Sequence, residues 1–180
     1  MESRFTSFVG GPTGQWKIVS MRSISGDGLP PASRLDLHDG LNDREDVAWQ
    51  LRGVASNLRY TAEAERKALA AVQPALGRPE ARCAALIPIR KTAAWWLLAQ
   101  DERRAILEER SRHIAIGMRY LPAVARKLFH ARDLGEPFDF LTWFEFAPDH
   151  AGAFDDLLLA LRASPEWDYV DREVEIRLSR

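Results

Sequence analysis

Hydrophobic and polar positions along the chain follow two rhythms, one of two residues and one near 3.6. In YVDREVEIRL (169–178), Val170, Val174, Ile176 and Leu178 alternate with charged residues, which predicts a half-buried strand. FDFLTWFEF (138–146) is dense in aromatics and alternates enough for another strand. RFTSFV (4–9) and WKIVSM (16–21) read as short strands separated by the turn-rich GGPTG. AWQLRGVASNLRYT (48–61) has strand composition, and the apolar run CAALIPI (83–89) predicts a buried strand. The longer rhythm is clearest in DHAGAFDDLLLALRAS (149–164), where Phe154, Leu157, Leu158 and Leu161 share one side of a helix. AEAERKALAAVQPAL (62–76) is a second helix, stopping near Pro74–Gly77. DERRAILEER and SRHIAIGMRYL carry helical spacing until Pro122, which has no N–H to give and clashes with the preceding turn. ARKLFH (125–130) is read as a further helical segment, with His130 at its C-terminal end, where a cation suits the helix dipole. Residues 22–45 show no clear period and are read as a long loop.

This order of elements predicts an α+β fold with helices packed on one face of antiparallel sheet. Two fused ferredoxin-like halves fit it, an N-terminal half over 1–80 and a C-terminal half over 81–180. No coiled-coil heptad, low-complexity segment or short repeat is visible.

Composition narrows function mainly by exclusion. The chain has 180 residues, 46% hydrophobic and 28% charged, which is ordinary for a globular protein. Twenty-five Lys and Arg against 26 Asp and Glu leave no global field to recruit nucleic acid or an anionic membrane. A single cysteine, Cys83, allows neither an internal disulfide nor a thiol cluster for zinc or iron–sulfur. The start, MESRFTSFVGG, lacks the basic and long apolar regions of a secretory signal. No apolar run approaches the roughly 20 residues that span a bilayer, so a cytoplasmic location is expected. Six tryptophans are the compositional oddity; large aromatics fill cores and also wall cofactor pockets.

Of four histidines, His38 lies among polar residues, His150 opens a helix and His130 ends a segment. His113 differs, because small or apolar residues follow it from Ile114 to Met118. Metal or haem ligation and a core histidine satisfied by one hydrogen bond both remain open on these grounds. Arg126 lies thirteen residues on, nearly opposite His113 if one straight helix joined them. With a break at Pro122 the two can instead flank a flat object such as a planar macrocycle. No dinucleotide or Walker loop, HExxH, CxxC or GxSxG is present.

Taken in order, IPIRKTAAWW (87–96), RSRHIAIG (110–117), ARKLFH (125–130), DLGEPFDFLTWFEF (133–146) and PEWDYVDRE (165–173) resemble the chlorite dismutases. LRGVASNLRY (51–60) matches more weakly. The short chain resembles the dimeric branch, whose N-terminal half is reduced. That resemblance implies a homodimeric fold of the dimeric α/β-barrel superfamily. It also implies a haem b cofactor and decomposition of the oxyanion chlorite to chloride and dioxygen, with the O–O bond formed at the haem. His113 would be the axial iron ligand and Glu166 the carboxylate on its other ring nitrogen, with Glu145 and Glu173 as rivals for that role. Arg126 would be the catalytic distal cation. Lys91 and Trp95 would flank the haem edge, Lys91 beside a propionate, and Tyr60 would be a second propionate donor. Trp96, Trp143 and Trp167 would line the pocket or pack in core or interface.

Three alternatives stand beside it. A coproheme decarboxylase of the same superfamily would carry a tyrosine where this chain has Ile87, next to Pro88. A dye-type haem peroxidase would need a distal carboxylate beside Arg126 to move a proton. A non-catalytic haem-binding dimeric module would have no use for Arg126.

Overall fold

The computed structural model describes residues 4–55 and 62–180. In chain order the described elements begin with β1 (Phe5–Gly11), β2 (Trp16–Ser25), β3 (Arg34–Asp39), β4 (Trp49–Ala55), α1 (Glu63–Val72) and β5 (Cys83–Lys91). There follow α2 (Ala93–Leu97), α3 (Gln100–Arg104), which widens into a π-type turn over Ala105–Arg110, and α4 (His113–Met118). The chain ends with β6 (Val124–His130), β7 (Phe140–Phe146), α5 (Ala151–Arg162) and β8 (Val170–Ser179). The result is a mixed α/β fold with antiparallel sheet and helices.

The eight described strands close into a barrel in the order β1-β3-β2-β8-β5-β7-β6-β4, and every recorded pairing is antiparallel. The second four strands lie as β8-β5-β7-β6, and the first four repeat that order as β4-β1-β3-β2. All the described helices follow β4.

Because side chains alternate across a strand, each strand of the second half supplies two cores. Leu86, Phe129, Leu141, Trp143, Val174, Ile176 and Leu178 point into the barrel, where they meet Phe8, Trp16, Leu35 and Leu51 from the first half. The intervening Ala85, Ile87, Ile89, Val124, Phe144 and Phe146 face outward under α5. Phe154 of α5 stacks on Phe146 at 4.6 Å and tilts onto Phe144 at 5.1 Å between ring centroids. Phe154, Leu157, Leu158 and Leu161 are all buried, each contributing about 1.5–3 kcal/mol, so packing holds this helix more than propensity does.

Close approach explains two glycines. A Cβ on Gly10 would overlap the indole of Trp49, and one on Gly53 would come within 2.6 Å of Phe129 Cβ. Both let strand backbones run beneath large interior side chains.

Two segments differ from the sequence reading. β3 lies inside the expected loop of 22–45, and β2 extends into it as far as Ser25. Residues 125–130 are strand, not helix, so Arg126 and His130 stand on β6. His38, expected among loop residues, is on β3 with Nε2 3.6 Å from Asp36. The stretch 48–61 is strand through Ala55, and its remainder, including Tyr60, lies outside the described residues.

Candidate functional site

Strand register builds one wall of a cavity. On the outer face of β5, β7 and β6, Ile87, Thr142 and Leu128 form one row. Ile89, Phe140 and His130 form the next row, and Ala85, Phe144 and Arg126 the row on the other side. Helical residues complete the lining, including Leu107, His113, Ile114, Leu158 and Leu161, together with Glu166 and Trp167 from the turn after α5. The cavity measures about 300 Å³, at the lower end of what small-ligand sites occupy (about 300–1,000 Å³). Arg126 enters it from the sheet and His113 from α4.

The geometry around His113 starts with the backbone. Arg112 adopts a left-handed conformation (φ 53°), ending the preceding helical run and starting α4 at His113 in a new direction. Glu108 accepts the N–H of Ile114 at 2.8 Å and so caps this first turn. The His113 ring then meets Glu166, with Nδ1 2.6 Å from Oε2. The other carboxylate oxygen accepts from Lys91 Nζ at 2.7 Å, and Ser111 Oγ accepts the Glu166 backbone N–H at 2.8 Å. Nothing among the described residues bonds Nε2 of His113, the nitrogen left to a ligand.

Burial alone would raise the Glu166 carboxyl, but the charges and hydrogen bonds of His113 and Lys91 outweigh it and hold the pKa at about 2. Burial also pulls the Lys91 ammonium down, against the attraction of Glu166. Both groups are almost fully enclosed and 2.7 Å apart, and the charged pair is the state this geometry favours. Lys91 Nζ lies 4.4 Å from the centroid of Trp95 and 5.7 Å from that of Trp167, which adds cation–π stabilisation.

Arg126 has a different environment. Its exposure is partial, yet its guanidinium is enclosed, and burial lowers its pKa with no carboxylate acting in the opposite direction. A guanidinium does not give up its proton in a protein, so the cavity contains a cation without a counter-charge among the described residues. It lies against α4 at Gly117, where a Cβ would overlap Nη1 and come within 2.9 Å of Cζ. Gln73, immediately after α1, donates to the Arg126 carbonyl at 2.7 Å, tying the end of that helix to β6.

The structure therefore brings together His113, Glu166, Lys91, Trp95 and Arg126 as cavity-lining residues. It pairs Lys91 Nζ with Glu166 at 2.7 Å. Trp167 lines the cavity, whereas Trp143 belongs to the barrel interior. Trp96 packs outside, stacked on Phe140 and capped by Arg132 at 4.0 Å. The rivals of Glu166 are engaged elsewhere: Glu145 with Trp143 and Gly77, Glu173 with Arg162 and Trp167. Sequence reading missed Ser111, Asp139 and Gly117. Asp139 accepts the Lys91 backbone N–H at 2.7 Å and the Trp96 indole N–H at 3.2 Å. A buried Asp at the head of an aromatic strand was the available signal, whereas nothing local marked Ser111.

Comparison with known proteins matches residues 36–180 to the chlorite dismutase family model. The chain belongs to the chlorite dismutase family. A curated relative, the chlorite dismutase of Ideonella dechloratans, is 34% identical over 128 residues, covering 69% of this chain and 42% of the relative. The chain thus spans less than half the length of that relative. Among solved structures, a dimeric chlorite dismutase from Nitrobacter winogradskyi is 58% identical with a TM-score of 0.93, over 97% of this chain and 99% of that one. The chlorite dismutase of Candidatus Nitrospira defluvii, solved with imidazole, shares the fold at 21% identity and a TM-score of 0.70, over 100% of this chain and 93% of that one.

Proposed function

We propose that this family member is a haem b enzyme that decomposes chlorite to chloride and dioxygen. The observation that carries the reading is the pairing, in one cavity, of a histidine whose Nε2 has no partner and an arginine with no counter-charge among the described residues. The residues present fit a haem. His113 would be a single protein ligand, and no three His, Cys, Asp or Glu side chains converge among the described residues to hold a bare ion. That donor set suits a metal already carried by a macrocycle. The apolar lining from Ile87, Ile89, Phe144, Leu158 and Leu161 suits its flat hydrophobic body.

When bound, the haem supplies an iron that exchanges electrons with the chlorite oxygens. The chain's own residues do the rest. Glu166 accepts a short hydrogen bond from Nδ1–H of His113, which fixes the tautomer and makes Nε2 the stronger electron donor. Lys91 holds the opposite carboxylate oxygen, so Glu166 stays ionised and oriented. Arg126 would attract the chlorite anion into the cavity and hold it there by charge and hydrogen bonds. The overall conversion, ClO2⁻ to Cl⁻ and O2, balances in atoms and charge without any proton being taken up. No acid or base is therefore required of the cavity, and Glu166, already engaged by Lys91 and His113, is the one carboxylate among its described lining residues. This counts against a peroxidase. Ile87 faces the cavity where a decarboxylase would present its tyrosine, which counts against that alternative.

The remaining elements belong to the same reading. Trp95, packed on Lys91, would flank the haem edge, and Tyr60 would donate to a propionate. The two halves, 1–80 and 81–180, are ferredoxin-like units, a view supported by the repeated strand order, with helices kept mainly in the second. The chain acts as a homodimer, as the Nitrobacter relative's description supports. Its site of action is the cytoplasm; no described helix is long and apolar enough to cross a membrane. Haemin titration followed by visible absorption tests the cofactor assignment. Wild type should bind one haemin per chain, and His113→Ala should lose the histidine-ligated spectrum; an identical spectrum in His113→Ala would reject His113 as the ligand.

A further inference from the structure

We infer that Ser111 is a positioning residue for the axial histidine, acting through Glu166; this rests on the haem reading above. Three contacts fix Glu166, and two come from one short turn. His113 Nδ1 meets Oε2 at 2.6 Å, and Ser111 Oγ, two residues earlier, accepts the Glu166 backbone N–H at 2.8 Å. Lys91 holds Oε1 at 2.7 Å from β5. The segment 111–113 thus grips Glu166 at both ends, by its main chain and by its carboxylate.

The geometry gives this grip a purpose. Between Ser111 and His113, Arg112 takes the left-handed conformation, which is strained for a residue with a Cβ and persists only where surrounding contacts hold it. The serine bond and the histidine bond hold it from either side, together with the main-chain bonds of Arg112 to Glu108 and from Ile116. Glu166 sits in a short helical turn after α5, on a segment separate from α4, so its distance from His113 is not set by one continuous element. Ser111 is itself buried, and the bond is shielded from water. Without it, Glu166 remains tied to Lys91 but its main chain is free to shift away from the histidine ring. Neither Ser111 nor its hydroxyl lines the cavity, so it acts on the ligand and not on substrate.

Resonance Raman spectra of the ferrous haem-loaded protein test this directly through the iron–histidine stretching band. Ser111→Ala should lower and broaden that band and reduce kcat for dioxygen release about 10-fold, at the low end of the roughly 10–100-fold that outer-shell partners cost. Ser111→Thr, which keeps the acceptor, should restore both. If Ser111→Ala does not fold, Ser111→Cys takes its place and should show a smaller shift in the same direction. A band unmoved in the variant overturns the inference, even if thermal stability falls, because the bond would then be structural only. A wild-type protein with no iron–histidine band would instead overturn the haem reading. A wild-type band without dioxygen release would overturn only the chlorite assignment, leaving the band to test Ser111.

Discussion

Glu166→Gln isolates the charge at the centre of the site while keeping its shape. In the haem-free protein the carboxyl sits at about 2 against an ordinary 4.5. Each unit of difference is worth about 1.4 kcal/mol, so ionised Glu166 contributes about 3 kcal/mol at pH 7. The folded-state pKa is depressed, so this contribution is complete above about pH 4.5 and is lost as pH falls toward 2; at pH 3 only about 1 kcal/mol remains. Glu166→Gln also leaves the Lys91 ammonium buried without its partner, and breaking one side of such a pair costs about 3–5 kcal/mol. Denaturant unfolding of haem-free wild type and variant at pH 7 should therefore differ by about 3–5 kcal/mol, narrowing by about 2 kcal/mol at pH 3. Lys91→Met should cost a similar amount at pH 7, and the double variant should be more stable than the two losses added together. Two additive losses, or a gap independent of pH, would show that Lys91 and Glu166 are not the coupled ion pair described here.

Gly117→Ala should leave the fold and haemin affinity near wild type, because the overlapped atoms belong to the end of the flexible Arg126 side chain. It should lower kcat on the order of 10-fold by displacing the guanidinium, and steady-state kinetics beside circular dichroism would measure this. Leu141→Ala, in the barrel interior, should destabilise by about 2–5 kcal/mol in denaturant unfolding without altering the haem spectrum. Arg162→Met should remove the cation paired with the buried Glu173, while Glu175 keeps Arg22 and Arg177, and cost about 3–5 kcal/mol, read from the same unfolding curves.

Much of the fold was legible wherever one face of an element met water. β8 and α5 show their periods openly because charged residues occupy the outer positions. β6 was misread as helix for the opposite reason. Arg126, Leu128 and His130 face the cavity while Phe129 faces the barrel interior, so polarity does not alternate along it. Its Ala, Arg, Lys and Leu are good helix formers, and pairing with β4 and β7 overrode that preference. β3 was missed although RLDLHD alternates, with Leu35 and Leu37 turned to the barrel core. Its setting among Gly, Pro and Asp concealed six residues of good signal.

At the site, residue types and motif order pointed to His113, Glu166 and Arg126, and geometry then chose Glu166 over Glu145 and Glu173. Lys91 illustrates the limit of such reading. Its position near the cavity was expected, but its partner is a carboxylate 75 residues away in sequence, which only the pairing of β5 with β8 brings alongside. Ser111 and Gly117 were equally out of reach, since a hydroxyl or a missing Cβ acquires its role from what the fold packs against it.

Dioxygen release after chlorite addition, recorded with an oxygen electrode on haem-loaded wild type and Arg126→Ala, tests the functional claim most directly. Wild type should release one dioxygen per chlorite, and the variant should be slower on the order of 100-fold, the effect of losing one preorganised electrostatic donor. A wild-type protein that binds haem and releases no dioxygen, or an Arg126→Ala variant as fast as wild type, would contradict that claim.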